Sequence, residues 1–305
     1  MTPLARGAAL CLLSQVLFGV LYLFSHWMRP LSGTDVFAWR MLVTVPALLL
    51  LVSRHGGWQS LRDLLHVHLG RRPARWAMFL LGTLIVGSQF WLFMWAPVNG
   101  EGVNTAIGYF LFPLTMALGG RLLLNERLTR LQTVALVLAA TGVAHELWAT
   151  RSFSWTSLWV CLVYPPYYLS RRMMRIPALP GLTIDFLLIM IPALAYLLWQ
   201  GDALTLVLGE SRYWWLLAAL GAVTAVAMAS NLQAGQLLPV GIFAMISYLE
   251  PALLFLVAVW VLDTPVADGA YLTYGPIWAG LLLLGLNALR HWKRHRNTGE
   301  AQLAG

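Results

Sequence analysis

Ten long apolar windows, separated by short polar links, organise the chain: residues 5–25, 34–53, 76–96, 102–122, 130–149, 155–171, 182–199, 213–232, 240–262 and 270–290. Each approaches the roughly 20 mainly apolar residues that a helix needs to cross the hydrocarbon core of a bilayer. The pattern predicts an all-α integral membrane protein with ten transmembrane helices. The longest link, residues 54–75, is polar and basic and can hold a short surface helix. No link is long enough for a soluble catalytic domain. The first window, Ala8 to Phe24, has no small-x-small cleavage pattern after it and reads as an uncleaved first span, not a signal peptide.

Composition agrees with lipid as the main solvent. The 305 residues are 59% hydrophobic and 10% charged, against about 25% charged in soluble chains. Fifteen tryptophans suit a chain with many membrane–water interfaces. A net charge of +8 could mean nucleic acid in a soluble protein; here the placement of the charges predicts topology instead. With the N-terminus inside, sixteen of the 20 Lys and Arg fall on the cytoplasmic side and four (Arg29, Arg40, Arg151 and Arg212) on the other. This bias predicts a multi-pass protein of the bacterial inner membrane with both termini cytoplasmic. Cys11 and Cys161 lie in apolar runs without ligand or disulfide spacing and read as packing residues.

An internal repeat comes next. Laying Pro113 on Pro251, an offset of 138, also aligns Leu111 with Leu249, Leu124 with Leu262, Asn125 with Asp263 and Gly142 with Gly280. The fourth and fifth windows thereby match the ninth and tenth. Five spans per half is an odd number, so the halves are inverted relative to one another, a common transporter plan. The expected organisation is residues 1–150 as the first repeat, 151–290 as the second and 291–305 as a cytoplasmic tail.

Ionisable groups inside a membrane are costly and mark sites or partners. Glu250, in Ser247-Tyr248-Leu249-Glu250-Pro251, lies about ten residues into its window, near the midplane. Pro251 frees a carbonyl one turn earlier, so a proton or a cationic group could bind there; a structural carboxyl bonded to a neighbouring helix is the other reading. Arg40 sits about six residues into the second window. It either snorkels to the interface or holds an anionic group. Asp185 is ambiguous. Glu126 reads as a turn residue pairing with Arg127 or Arg130, and His145 and Glu146 read as interfacial. A second set, Gln15, Tyr22, Gln89, Trp91, Trp95, Asn104, Tyr109, Tyr164, Asn231, Gln233 and Tyr248, carries amphipathic rings and amides inside spans. Such groups either line a cavity for semi-polar molecules or join helices. Pro165-Pro166 should bend the sixth span. No P-loop, zinc-protease or nucleophile-elbow motif is present. No metal or cofactor is expected, and active transport would use an ion gradient or the substrate's own.

The stretches Leu17-Phe18-Gly19-Val20, Phe37-Ala38-Trp39-Arg40, Gly108-Tyr109-Phe110, Asn125-Glu126-Arg127-Leu128-Thr129 and Tyr248-Leu249-Glu250-Pro251 give the chain its family likeness. It resembles RarD-type permeases of the EamA group of the drug/metabolite transporter superfamily. The resemblance implies two inverted five-helix repeats and export of small metabolites by alternating access. The substrates it implies are amino-acid-like compounds, opine-type metallophores or drugs such as chloramphenicol. It supports Arg40, Tyr109 and Glu250 as substrate-binding candidates, with Tyr248, Gln89, Trp95, Asn231 and Gln233 beside them. Asn104, Phe112 and Thr264 depart from the residues expected there, which bears on the substrate more than on the fold. Expected partners are a small-molecule substrate, coupled protons and membrane lipid; a homodimer is open. A non-transporting partner or sensor subunit and, further off, a membrane-embedded enzyme are the alternatives.

Overall fold

A computed structural model describes residues 3–54, 57–124, 130–150, 154–238 and 246–263, with isolated positions between 243 and 283. The tail from 291, most of the tenth window, Thr264 and the Asn125–Thr129 turn with Glu126 lie outside the described residues. Among the described residues the regular structure is helical, with no strand. The helices are α1 Pro3–Trp27, α2 Gly33–Arg54, α3 Gly57–Asp63, α4 Pro73–Trp95, α5 Gly102–Leu124 and α6 Arg130–Thr150. Then come α7 Trp155–Leu158, α8 Tyr164–Met173, α9 Ala178–Gln200, α10 Asp202–Gly209, α11 Ser211–Leu237 and α12 Leu249–Trp260. Among the described residues, six stretches are long and apolar enough to cross a membrane: Pro3–Trp27, Gly33–Arg54, Pro73–Val98, Gly102–Leu123, Ala178–Gln200 and Ser211–Gly235. The surface helix expected in the link after α2 is α3, which runs into a wide π-type turn, Leu64–Leu69.

Two proline sites differ from a simple bend. In the sixth window the chain is helical over α7, opens into a π turn over Trp159–Val163 and resumes as α8 with Pro165 in its first turn. Pro165 has no N–H for a regular bond to the preceding turn, and the wide turn absorbs that loss. The ninth window does not run through Pro251 as one rod. Ile246 and Ser247 are helical, Tyr248 is a turn and α12 starts afresh at Leu249. Proline fits a first helical turn, where its missing donor is not needed. Glu250 therefore stands in the first turn of α12, where the helix dipole favours a carboxylate, not partway along an unbroken span.

The helices run alternately up and down. At one end Trp91 Nε1 donates to Thr34 Oγ1 at 3.0 Å, Tyr196 donates to Asp35 at 3.0 Å and Arg212 donates to the Arg29 carbonyl at 2.7 Å. There too Glu101 Oε2 accepts from Asn104, Ser154 and Thr156 at 2.8–2.9 Å. These bonds gather the finish of α1, α4 and α9 with the start of α2, α5, α7 and α11. The exposed tryptophans Trp27, Trp155, Trp199, Trp214 and Trp215 sit on this end. The opposite end carries Arg54, Arg62, Arg71, Arg72, Arg75, Arg121, Arg172 and Arg175. One end is an aromatic belt and the other is basic, as the charge bias predicts. Between them, Leu81, Leu84, Ile191 and Leu194 stay exposed on mid-helix faces, a cost in water that vanishes in lipid.

Small residues set the closest approaches, since lipid gives helices no hydrophobic reason to associate and packing must do it. A Cβ on Gly108 of α5 would lie 2.8 Å from both the Ser157 carbonyl oxygen and Val160 Cβ. Gly108→Ala should destabilise the protein by about 1–3 kcal/mol, read as a lower unfolding temperature in detergent. An unchanged temperature would show that α5 can pull away from the sixth span at no cost.

Candidate functional site

The interior of the bundle holds a cation in an aromatic cage. Arg40 of α2 is 1% exposed. Its guanidinium lies 5.4 Å from the Phe90 ring and 5.5 Å from the Phe93 ring, both on α4, within cation–π range. Nε donates to Thr224 Oγ1 of α11 at 3.1 Å, while Nη1 is buried without a partner. The interfacial reading of Arg40 is thus overturned: α2 turns the side chain into the protein, and it does not snorkel.

Glu250 faces the same region. Its charge is felt at Arg40, at Tyr109 of α5 and at Tyr168 of α8. No ion pair joins it to Arg40, and no described residue donates a hydrogen bond to its carboxylate. Although enclosed by helices, Glu250 keeps part of its surface accessible, as do Phe112 and Tyr168. A tyrosine cluster lies beside it: Tyr164 and Tyr168 share a hydrogen bond at 3.2 Å, Phe112 packs on both rings and Tyr109 meets Tyr164 edge-on. Tyr164, Tyr167 and Tyr168 are spaced i, i+3 and i+4, which places them on one face of α8.

The other predicted residues spread out. Tyr248 is buried at the turn before α12. Gln89 lies in the contact of α4 with the sixth span, where its amide donates to the Trp159 carbonyl in the π turn at 3.2 Å. Trp95 belongs to the aromatic end, stacked on Trp91 and packed on Trp155. Asn231 of α11 donates to Ser14 of α1 at 3.3 Å, and Gln233 is half-buried further along α11. Arg40, Tyr109 and Glu250 are therefore brought together, with Tyr248 adjacent in sequence to Glu250; Gln89 and Trp95 are not.

Asp185 has a full set of partners. Arg171 Nη2 donates to its Oδ1 at 2.5 Å, Thr83 donates to Oδ1 at 2.6 Å and Tyr167 to Oδ2 at 2.9 Å. The Arg171 guanidinium also lies 3.5 Å from the Phe79 ring centroid. Arg171, placed among the cytoplasmic charges by sequence, is buried between α4, α8 and α9. Thr83 and Phe79, which complete this knot, carry no signal in the sequence; Thr224, Phe90 and Phe93 around Arg40 are equally silent.

A helical protein with spanning apolar helices, exposed apolar faces and buried charges of both signs belongs to the class of multi-pass membrane proteins. The profile of the EamA-like transporter family matches residues 5–145. The chain is 57% identical over 296 residues to an uncharacterized transporter of Haemophilus influenzae, covering 97% of this chain and 99% of the relative. It is 39% identical over 294 residues to the chloramphenicol-sensitive protein RarD of Pseudomonas aeruginosa, covering 96% and 98%. The chain belongs to the EamA-like transporter family. A solved crystal structure, 18% identical, superposes with a TM-score of 0.57 over 92% of this chain and 98% of the other, a likeness of fold.

Proposed function

We propose that the protein is a secondary transporter of the bacterial inner membrane, with both termini cytoplasmic, that exports small amphipathic metabolites or drugs by alternating access. Two inverted five-helix repeats would rock about a hollow between them. The observation that carries this reading is the facing pair of incompletely satisfied charges, Arg40 with a free buried N–H and Glu250 without a donor, set in an aromatic wall. Arg40 would take an anionic or carbonyl group, the rings the apolar body, and Glu250 a cationic group or a proton. Amino-acid-like compounds, opine-type metallophores and phenicols all carry such a mixture of groups. The name of the Pseudomonas relative supports including phenicols. The direction, export, comes from the family resemblance.

Reconstitution in liposomes tests it, with labelled amino acids, opines and phenicols, with and without an imposed pH gradient, and Glu250→Gln as the paired control. Gradient-dependent flux that Glu250→Gln abolishes is the expected result. Flux insensitive to both would make the protein a facilitator and Glu250 a structural residue. No flux of any compound would favour a non-transporting partner subunit.

A further inference from the structure

Near Glu250, α1 and α11 present a set of polar groups that the transport reading does not use. Ser14 donates its hydroxyl proton to the Cys11 carbonyl at 2.7 Å. Its oxygen is then only an acceptor, and it receives Gln15 Nε2 at 3.2 Å and Asn231 Nδ2 at 3.3 Å. That fixes both amides with their N–H groups toward Ser14 and their carbonyl oxygens turned elsewhere. Gln15 is 0% exposed, and its Oε1 has no partner. A buried acceptor left without a donor costs about 1–3 kcal/mol.

The same acceptors lie beside the broken ninth span. Cys11 Sγ is 4.0 Å from Ser247 Oγ, and a Cβ on Gly19 would be 3.3 Å from Leu253 Cβ. Cys11 lies one turn before Gln15 and Gly19 one turn after it, so α1 and α12 run side by side in the same direction with Gln15 level with Glu250. The charge of Glu250 reaches Cys11, in keeping with that register. Pro251, lacking an N–H, leaves the Ser247 carbonyl without its usual helical donor. Gln15 Oε1 is thus a buried acceptor without a donor, with Asn231 tied to its neighbour Ser14, Ser247 beside Cys11 one turn away, and Glu250 level with it on α12.

We infer that Gln15, Asn231, the Ser247 carbonyl and Glu250 form a site for a small monovalent cation, between α1, α11 and the helix break before α12. Carbonyls at an unwound segment together with one carboxylate are suited to binding Na⁺, or the ammonium group of a substrate, within a membrane. Hard oxygen donors with a single formal charge match a monovalent ion; the described residues hold no group of three or more His, Cys, Asp and Glu for a transition metal. The groups facing Glu250 from other elements are Arg40 of α2, Tyr109 of α5, Tyr168 of α8 and Cys11 of α1. Only Arg40 among them is cationic, and its guanidinium is held by Thr224 and the Phe90 and Phe93 rings. The site rests on the reading that Glu250 lines the transport hollow, and it supplies that reading with a place for the coupling ion.

The test measures thermal unfolding of the purified full-length protein by tryptophan fluorescence. It titrates NaCl, KCl, ammonium chloride or methylammonium chloride against choline chloride at fixed ionic strength. At least one small cation should raise the unfolding temperature saturably. Na⁺ or K⁺ acting alone would point to a coupling ion, and ammonium or methylammonium acting alone to a substrate amine. Gln15→Met should weaken the apparent affinity about tenfold or more, the worth of one coordinating oxygen to a charged group. Gln15→Glu, which keeps an oxygen there and is the second probe should the Met variant not fold, should bind at least as tightly as the parent. No saturable shift with any cation, or equal shifts in the parent and Gln15→Met, would overturn the site. Flux that depends on Glu250 but comes with no cation shift would remove this site alone. A cation shift with flux unaffected by Glu250→Gln would remove the transport role of Glu250 and keep the site.

Discussion

Asp185→Ala is expected to destabilise the protein by about 3–5 kcal/mol, the usual cost of removing one partner of a buried ion pair. Asp185 is 0% exposed and, among the described residues, is the only anion that partners Arg171. Without it, Arg171 keeps its Nη2 bonds to the Phe79 carbonyl and Thr83 Oγ1, both neutral, while Nε and Nη1 are already unpartnered. The charge would then rest on the Phe79 and Tyr167 rings, too weak a counterweight to desolvation. Tyr167 would also lose its acceptor, while Thr83 would keep the Phe79 carbonyl at 3.1 Å. The double variant Asp185→Leu with Arg171→Met removes both charges and should recover most of the loss. Thermal unfolding followed by tryptophan fluorescence reads both. An Asp185→Ala protein as stable as its parent would mean that Arg171 reaches water or lipid headgroups once released.

Arg40→Met should do the opposite: keep or raise stability while lowering transport roughly ten- to hundredfold. The stability half follows from the cage. Arg40 has one hydrogen bond and two aromatic faces to offset a buried charge, with no ion pair, and Met fills a similar apolar volume at no desolvation cost. The transport half follows from the free Nη1, since a charge-assisted bond to a substrate group is worth about 1.5–3 kcal/mol. Arg40→Lys should not rescue, because an ammonium has neither the planar fork nor the stacking surface. Flux in liposomes across substrate concentrations, beside unfolding temperature, separates the two halves. A structural Arg40 would instead show a large loss of stability in Arg40→Met. Unimpaired flux in a stable Arg40→Met protein would remove Arg40 from the site.

Apolar windows of spanning length, the surface helix after the second of them and the contrast between basic and tryptophan-rich ends were legible in the sequence. Each is a property of position along one helix, and lipid enforces it locally: a backbone in hydrocarbon must be helical, and a charge there must be rare. Arg40, Tyr109 and Glu250 were singled out by the cost of charge inside a membrane and by the family resemblance; that they lie near one another was not legible. The tertiary structure decided direction around each helix. In a soluble helix the polar stripe shows which face points outward; here both the lipid-facing and the protein-facing sides are apolar, so sequence gives depth but not azimuth. That is why Arg40 could be read as snorkelling, Arg171 as a loop charge and Gln89 as a cavity residue. Only packing showed Arg40 caged by Phe90 and Phe93, Arg171 knotted to Asp185, and Gln89 bonded to the carbonyl of Trp159.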